Sequence, residues 1–302
     1  MKISRRADFL DNLKKLKKGS IRATDIAAQY WCERQMELQY IHGTRITAEI
    51  KKGAAMHEDL ESEINTPIPI VLMPKSYADV MYKILYTSSE ALETLFKNKK
   101  AREIQIYGAI NGFPLVGKMD QLEIRDGEVF VWEDKTKTND NLPNEPQLNT
   151  HKIQVMIYRK MVADIKDKLY TIGDFRKKYG IMTLIVTAEF SRQLDALQIP
   201  KSMQGVDAVA QRYFALLAKI EKLSETLHIR YINQFTGKEI KTYRFTYDEK
   251  EMQAAMEFVL KYWKGDRESL PVPEAEKWKC NYCSFFGKEC KVWWQERGQK
   301  GL

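Results

Sequence analysis

Apolar residues along this chain change their spacing several times, and each change marks an element. A helical period starts near Thr24 or Asp25, either of which can cap it, and runs through Cys32; a second helix spans 48–64 and carries His57. Pro67, Pro69 and Pro74 interrupt the pattern, which resumes as a helix over 77–97. The period then drops to two. Segments 102–110, 113–124 and 129–137 alternate as strands, separated by Asn111-Gly112 and Asp126-Gly127, the dipeptides that two-residue hairpin loops prefer. Beyond a polar loop with Pro143 and Pro146, a helix resumes near Thr150 and carries Gln154 and Tyr158. A strand-like run at 181–188, a helix over 206–227, a hairpin turning at Gly237 and a helix over 248–264 follow, ahead of a cysteine-bearing segment. This order is α+β.

The second hairpin turns pattern into chemistry. If Asp126 and Gly127 form its loop, facing positions sum to 253, and Asp120 lies opposite Glu133. Opposed like charges destabilise a sheet unless a cation lies between them, so a divalent metal fits there. Strand alternation puts Glu133 and Lys135 on one face and turns Asp134 to the other. Lysine there supplies a point charge for a phosphate oxygen and an orienter for water. The same arithmetic at Asn111-Gly112 gives a sum of 223 and sets Glu103 opposite Asp120. Each piece alone has a plainer explanation: Glu-x-Lys on a strand is ordinarily solvated surface, a helical histidine is ordinarily structural, and Gln154 and Tyr158 at i and i+4 can be a simple hydrogen-bonding pair. Their convergence is the signal.

Charge and cysteine usage narrow the class. The chain has 302 residues and a net charge of +8, with Lys2, Arg5, Arg6, Lys14, Lys15, Lys17 and Lys18 clustered near its start, which favours a polyanionic partner. No segment reads as a signal peptide or membrane span, so the expected location is cytoplasmic. In a reducing compartment, Cys280, Cys283 and Cys290, with Cys32 far upstream, point to a metal centre and not to disulfides. The spacing admits zinc or an iron–sulfur cluster.

Taken together, Gly53-x3-His57, Gly117-x2-Asp120, Glu133-x-Lys135 and Gln154-x3-Tyr158, framed by one early and three late cysteines, resemble the exonuclease V family. That family lies within the RecB-like PD-(D/E)xK nucleases that carry a [4Fe–4S] cluster. The run 150–158 and the segment Trp278-Lys279-Cys280-Asn281-Tyr282-Cys283 support the likeness. The chain departs in having six residues between its last two cysteines, where five are common.

The resemblance implies one nuclease domain over 1–302, with a catalytic core at about 48–190 and cluster-binding segments at about 20–45 and 275–295. It implies a central mixed sheet flanked by helices, with the chain's two ends joined by the cluster. Its implied Mg²⁺ or Mn²⁺ ligands are His57, Asp120, Glu133 and the backbone carbonyl of Asp134; its implied catalytic residues are Asp120, Glu133 and Lys135. Gln154 and Tyr158 would contact DNA, and Cys32, Cys280, Cys283 and Cys290 would bind the [4Fe–4S] cluster. The implied activity is metal-dependent exonucleolytic hydrolysis of single-stranded DNA, in repair or replication, with single-strand-binding or other repair proteins as prospective partners. A CRISPR-associated adaptation nuclease and a non-catalytic, zinc-stapled nucleic-acid-binding protein are the alternatives.

Overall fold

The computed structural model describes residues 12–44, 46–65 and 71–293; Lys2, Arg5, Arg6, Pro67 and Pro69 lie outside them. Helices and one mixed sheet make up the fold, as the α+β order requires. The chain forms two compact units.

The larger unit comprises Glu49–Leu142 and Val155–Tyr247. It takes most of helix α3 (Ala48–Ser62) and then α4 (Tyr77–Asn98), whose first turn is closed by a reciprocal capping box between Ser76 and Asp79. Strands β2 (Lys100–Ile110), β3 (Phe113–Arg125) and β4 (Glu128–Lys137) form two successive antiparallel hairpins. Both turns work as their residues dictate: Asn111, Gly112, Asp126 and Gly127 all have positive φ, between 50° and 81°, which is the geometry of a type I′ loop. After α5 (Glu145–Lys166), α6 (Ile172–Tyr179), α7 (Ala188–Ala196) and α8 (Val206–Leu217), strand β5 (Thr226–Asn233) returns parallel to β4, and β6 (Glu239–Thr246) pairs antiparallel with β5. The sheet is therefore mixed. Helix α4 packs on α8 and β2, burying Leu85, Leu92, Leu95 and Ile104 completely.

Three expectations change. The run 181–188 is not a strand: a 3-10 turn spans Ile181–Thr183, Ile185 is exposed, and Thr187 caps α7. Alternation alone could not supply a partner edge. Helix α8 stops at Leu217, and residues from Thr226 onward form β5. Helix α5 begins at Glu145, with Pro146 in its first turn, where a missing N–H costs no helical bond.

The smaller unit takes the described parts of Met1–Ala48 and Asp248–Leu302 together with Pro143–Gln154. It contains α1 (Asn12–Lys15), the two-residue β1 (Ile21–Arg22), α2 (Ala23–His42), α9 (Glu249–Lys264) and a 3-10 segment, Glu274–Tyr282. Gln29, Glu33 and Glu37 form a buried polar stripe at i, i+4 and i+8 on α2. Trp263 Nε1 donates to Gln29 (2.8 Å), the Leu270 N–H donates to Glu33 (2.7 Å), and the Tyr262 hydroxyl donates to Glu37 (3.1 Å). No helix among the described residues is long and apolar enough to cross a membrane.

Candidate functional site

The register inferred from the turns is the one observed. Strands β3 and β4 pair from Arg125↔Glu128 to Gln121↔Trp132, all summing to 253, and the ladder ends there. At the next position the Asp134 N–H donates to Asp120 Oδ2 (2.7 Å) in place of a ladder bond. Beyond it β4 continues beside β5 while β3 continues beside β2, so Asp120 and Glu133 lie where β3–β4 pairing stops. On the other side Arg102↔Gln121 and Ile104↔Met119 sum to 223, which brackets Glu103 opposite Asp120. Glu103 itself has φ 57°, a costly value for a side-chain-bearing residue in a strand.

His57 arrives from α3. Its Nδ1 lies 3.1 Å from Glu103 Oε1 and 3.6 Å from Asp120 Oδ1. Gly53, one turn earlier, explains how the helix comes so close: a Cβ there would meet Thr136 Oγ1 at 2.9 Å and Gln234 Nε2 at 3.2 Å. The ligand atoms of His57, Glu103 and Asp120 all fall within 4.8 Å of one another, and imidazole with carboxylates is a donor set that suits a divalent cation. Glu103 also pairs with Lys118 Nζ at 2.5 Å. Lys118, two residues before Asp120 on the same strand face, went unremarked in the sequence, although alternation alone placed it there.

Glu133 and Lys135 form an ion pair at 2.6 Å on the Asp120 face. Burial raises the pKa values of the Asp120 and Glu133 carboxyls; repulsion by Asp134 and Glu103 adds to it at Asp120 and repulsion by Asp120 adds at Glu133, with Lys135 opposing in both cases and His57 at Asp120. Burial works against the Lys135 ammonium, but Glu133 and Asp120 outweigh it and keep it protonated. At His57 the hydrogen bond to Glu103 dominates and raises the imidazole pKa. Two buried carboxylates beside a third are an arrangement that added positive charge stabilises.

Asp134 points to the opposite face. There Arg230 grips its carboxylate through two bonds (2.9 and 2.7 Å), and the fully buried Arg102 pairs with it at 2.7 Å while donating to Gln121 (3.1 Å). Burial opposes the Asp134 charge, yet Arg230 and Arg102 win and hold its carboxyl below the usual range. Neither arginine was evident beforehand: Arg230 reaches Asp134 only through the parallel β4–β5 register. Gln154 and Tyr158 lie one turn apart on α5 and are buried, at 5% and 1% exposure.

In the smaller unit, Cys32, Cys280, Cys283 and Cys290 line one cavity together with Trp31 and Trp293, and they form no disulfide. Cys32 leaves helical geometry inside α2 (φ −167°, ψ 108°), and its Sγ accepts from the Gln35 N–H at 3.4 Å. Burial pushes its thiol up to about 11, and Cys283 and Cys290 lie close enough to push the same way. A thiolate there needs a cationic partner. Four sulfur donors around one cavity fit a soft, sulfur-ligated metal centre.

Comparison with known proteins places this architecture. A model of the exonuclease V family, described as a 5′ deoxyribonuclease, matches residues 9–129, 123–213 and 186–295. Exonuclease V of Danio rerio is 24% identical over 294 residues, covering 90% of this chain and 70% of the zebrafish protein. A solved Eubacterium rectale protein, provisionally described as an exonuclease, aligns with a TM-score of 0.38 at 11% identity, over 92% of this chain and 93% of its own. The chain belongs to the exonuclease V family and is a DNA exonuclease.

Proposed function

We propose that the chain is a divalent-metal-dependent exonuclease that degrades single-stranded DNA from a 5′ end and carries a [4Fe–4S] cluster. The observation that carries this reading is the meeting of His57, Glu103 and Asp120 within 4.8 Å, beside the Glu133–Lys135 pair. Mg²⁺ or Mn²⁺ would be held by His57, Asp120 and Glu133, with the Asp134 carbonyl, and Glu103 adds a further carboxylate. When bound, the ion supplies Lewis-acid charge for the scissile phosphate and an acidified water.

The residues around it divide the remaining work. Glu103, hydrogen-bonded to His57 Nδ1, fixes the imidazole's orientation beside Asp120. Lys135, kept charged by Glu133 and Asp120, positions the attacking water and offsets charge on the phosphate. The Asp134 N–H fixes the Asp120 carboxylate, and the Asp134 side chain, committed to two arginines, leaves only its backbone for the metal side. A role for Gln154 and Tyr158 in contacting the strand rests on the family resemblance alone, since both side chains are buried. Cys32, Cys280, Cys283 and Cys290 would ligate the cluster in a structural role. Single-strand preference rests on the family resemblance, and a net charge of +8 supports salt-dependent binding to a polyanion. The 5′ direction follows the family's description.

The test uses anaerobically purified protein with linear single strands blocked at either end, closed single-stranded circles and blunt duplex, with Mg²⁺, Mn²⁺ or EDTA. Degradation of linear strands with a free 5′ end, abolished by EDTA and by Lys135→Ala, is expected. Equal rates on blunt duplex would refute the strand preference, and cleavage of circles would refute the need for an end.

A further inference from the structure

A large aromatic side chain stands in solvent beside this site. Phe235, at the tip of the β5–β6 hairpin, is 66% exposed, and Lys52 Nζ of α3 lies 3.5 Å from its ring centroid. The tip is rigid. Asn233 Oδ1 accepts from the N–H groups of Phe235 (2.8 Å) and Thr236 (3.1 Å), and Gly237, at φ 68°, closes the turn with an N–H to the Asn233 carbonyl (2.9 Å). Gln234 joins the tip to the catalytic elements: its N–H donates to the Lys137 carbonyl (2.8 Å), and its Nε2 donates to Thr136 Oγ1 (2.9 Å) and the Glu49 carbonyl (3.3 Å). Thr136 directly follows Lys135 on β4. Lys52 precedes His57 by five residues on α3, about 7.5 Å of helix axis.

We propose that Phe235 and Lys52 form a nucleotide grip for single-stranded DNA next to the scissile phosphate, Phe235 stacking on a base and Lys52 facing the backbone. This rests on the exonuclease reading above. One face of the ring is covered by the ammonium, and the exposed remainder presents a flat π surface, which any base can stack on without sequence preference. The surroundings are basic on balance: Lys51, Lys52 and Lys238 are exposed here against exposed Glu49 and Glu239, and Asp140, the acid bonded to the turn, is bound to Asn233 Nδ2 (2.6 Å). Because α3, β4 and the turn are bonded together, a base held on Phe235 also fixes the strand relative to His57 and Lys135.

The experiment compares wild type, Phe235→Ala, Phe235→Trp and Lys52→Ala on end-labelled linear oligothymidylate. Kinetics are measured with Mg²⁺, and binding by anisotropy in a Lys135→Ala background without metal. Phe235→Ala should weaken binding and raise KM about five- to tenfold, with kcat at saturation and the melting temperature nearly unchanged. Phe235→Trp should restore affinity, with indole emission quenched by the strand. Replacing the bases by abasic sugars should bring wild type and Phe235→Ala to the same affinity, and Lys52→Ala should lower the salt dependence. Wild-type KM and affinity in Phe235→Ala, or an unchanged gap on abasic strands, would overturn the grip while leaving the exonuclease reading intact. A wild-type protein that neither binds nor cuts single strands would overturn both.

Discussion

The Asp134 backbone N–H holds the Asp120 carboxylate at 2.7 Å while the Asp134 side chain turns away to Arg102 and Arg230. Neighbouring acids on β4 thus have opposite jobs. Glu133→Gln should abolish cleavage at a smaller cost in stability, since it removes a partner of Lys135 but also a buried carboxylate that Asp120 repels. Asp134→Asn should cost about 3–5 kcal/mol, because it strands a buried guanidinium. Urea unfolding beside turnover measurements separates the two.

Glu103 touches His57 and lies opposite Asp120. Glu103→Gln should weaken Mn²⁺ binding about 10- to 100-fold while the fold survives. Isothermal titration with Mn²⁺ measures it, and unchanged affinity would remove Glu103 from the metal site.

Gly53→Ala places a methyl 2.9 Å from Thr136 Oγ1 and 3.2 Å from Gln234 Nε2, a clash that shifting α3, with His57, off the sheet would relieve. Turnover should fall at least about tenfold, since small displacements at a reacting centre are costly. Thr136→Ala in the same chain removes the obstructing oxygen and should restore part of the rate.

Cys32→Ser should abolish iron and acid-labile sulfide in anaerobic preparations, with loss of visible absorption. Thermal stability should drop as well. Helical circular dichroism should persist, because the bonds from Glu33 and Glu37 to Leu270 and Tyr262 do not pass through sulfur. Stoichiometric zinc in the wild type would refute the cluster.

Asp25 is buried and bound to Lys18 (2.9 Å) and Arg22 (2.9 Å). Burial opposes its charge, but Arg22 and then Lys18 hold its carboxyl below the ordinary value. A lowered folded-state pKa gives stability that is complete above the unfolded value near 3.9 and is lost as pH falls through the folded one. Asp25→Asn should therefore be less stable than wild type by about 3 kcal/mol at pH 7, and the gap should close below about pH 4.

Much of the site was legible because β3 lies between two two-residue turns whose residues announce their own geometry. Turn chemistry fixed the pairing sums, and the sums put Glu103, Asp120 and Glu133 side by side. What stayed hidden depends on distant pairing. Arg230 meets Asp134 only through a parallel crossover that local pattern does not encode, and the run at 181–188 alternates like a strand but finds no edge. The positive φ of Glu103 left no trace in residue type, since glycine or asparagine is the usual marker.

The Asp126-Gly127 turn lies six residues from Asp120, about 20 Å along an extended strand, at a surface tip of the kind where insertions are ordinarily tolerated. Here the length of that tip has parity. One added residue would slide β4 by a single step, turning Glu133 and Lys135 toward the arginines and Asp134 toward Asp120. Residues that keep the two-residue turn leave the nuclease unharmed, but a change in their number from even to odd turns the catalytic face inside out.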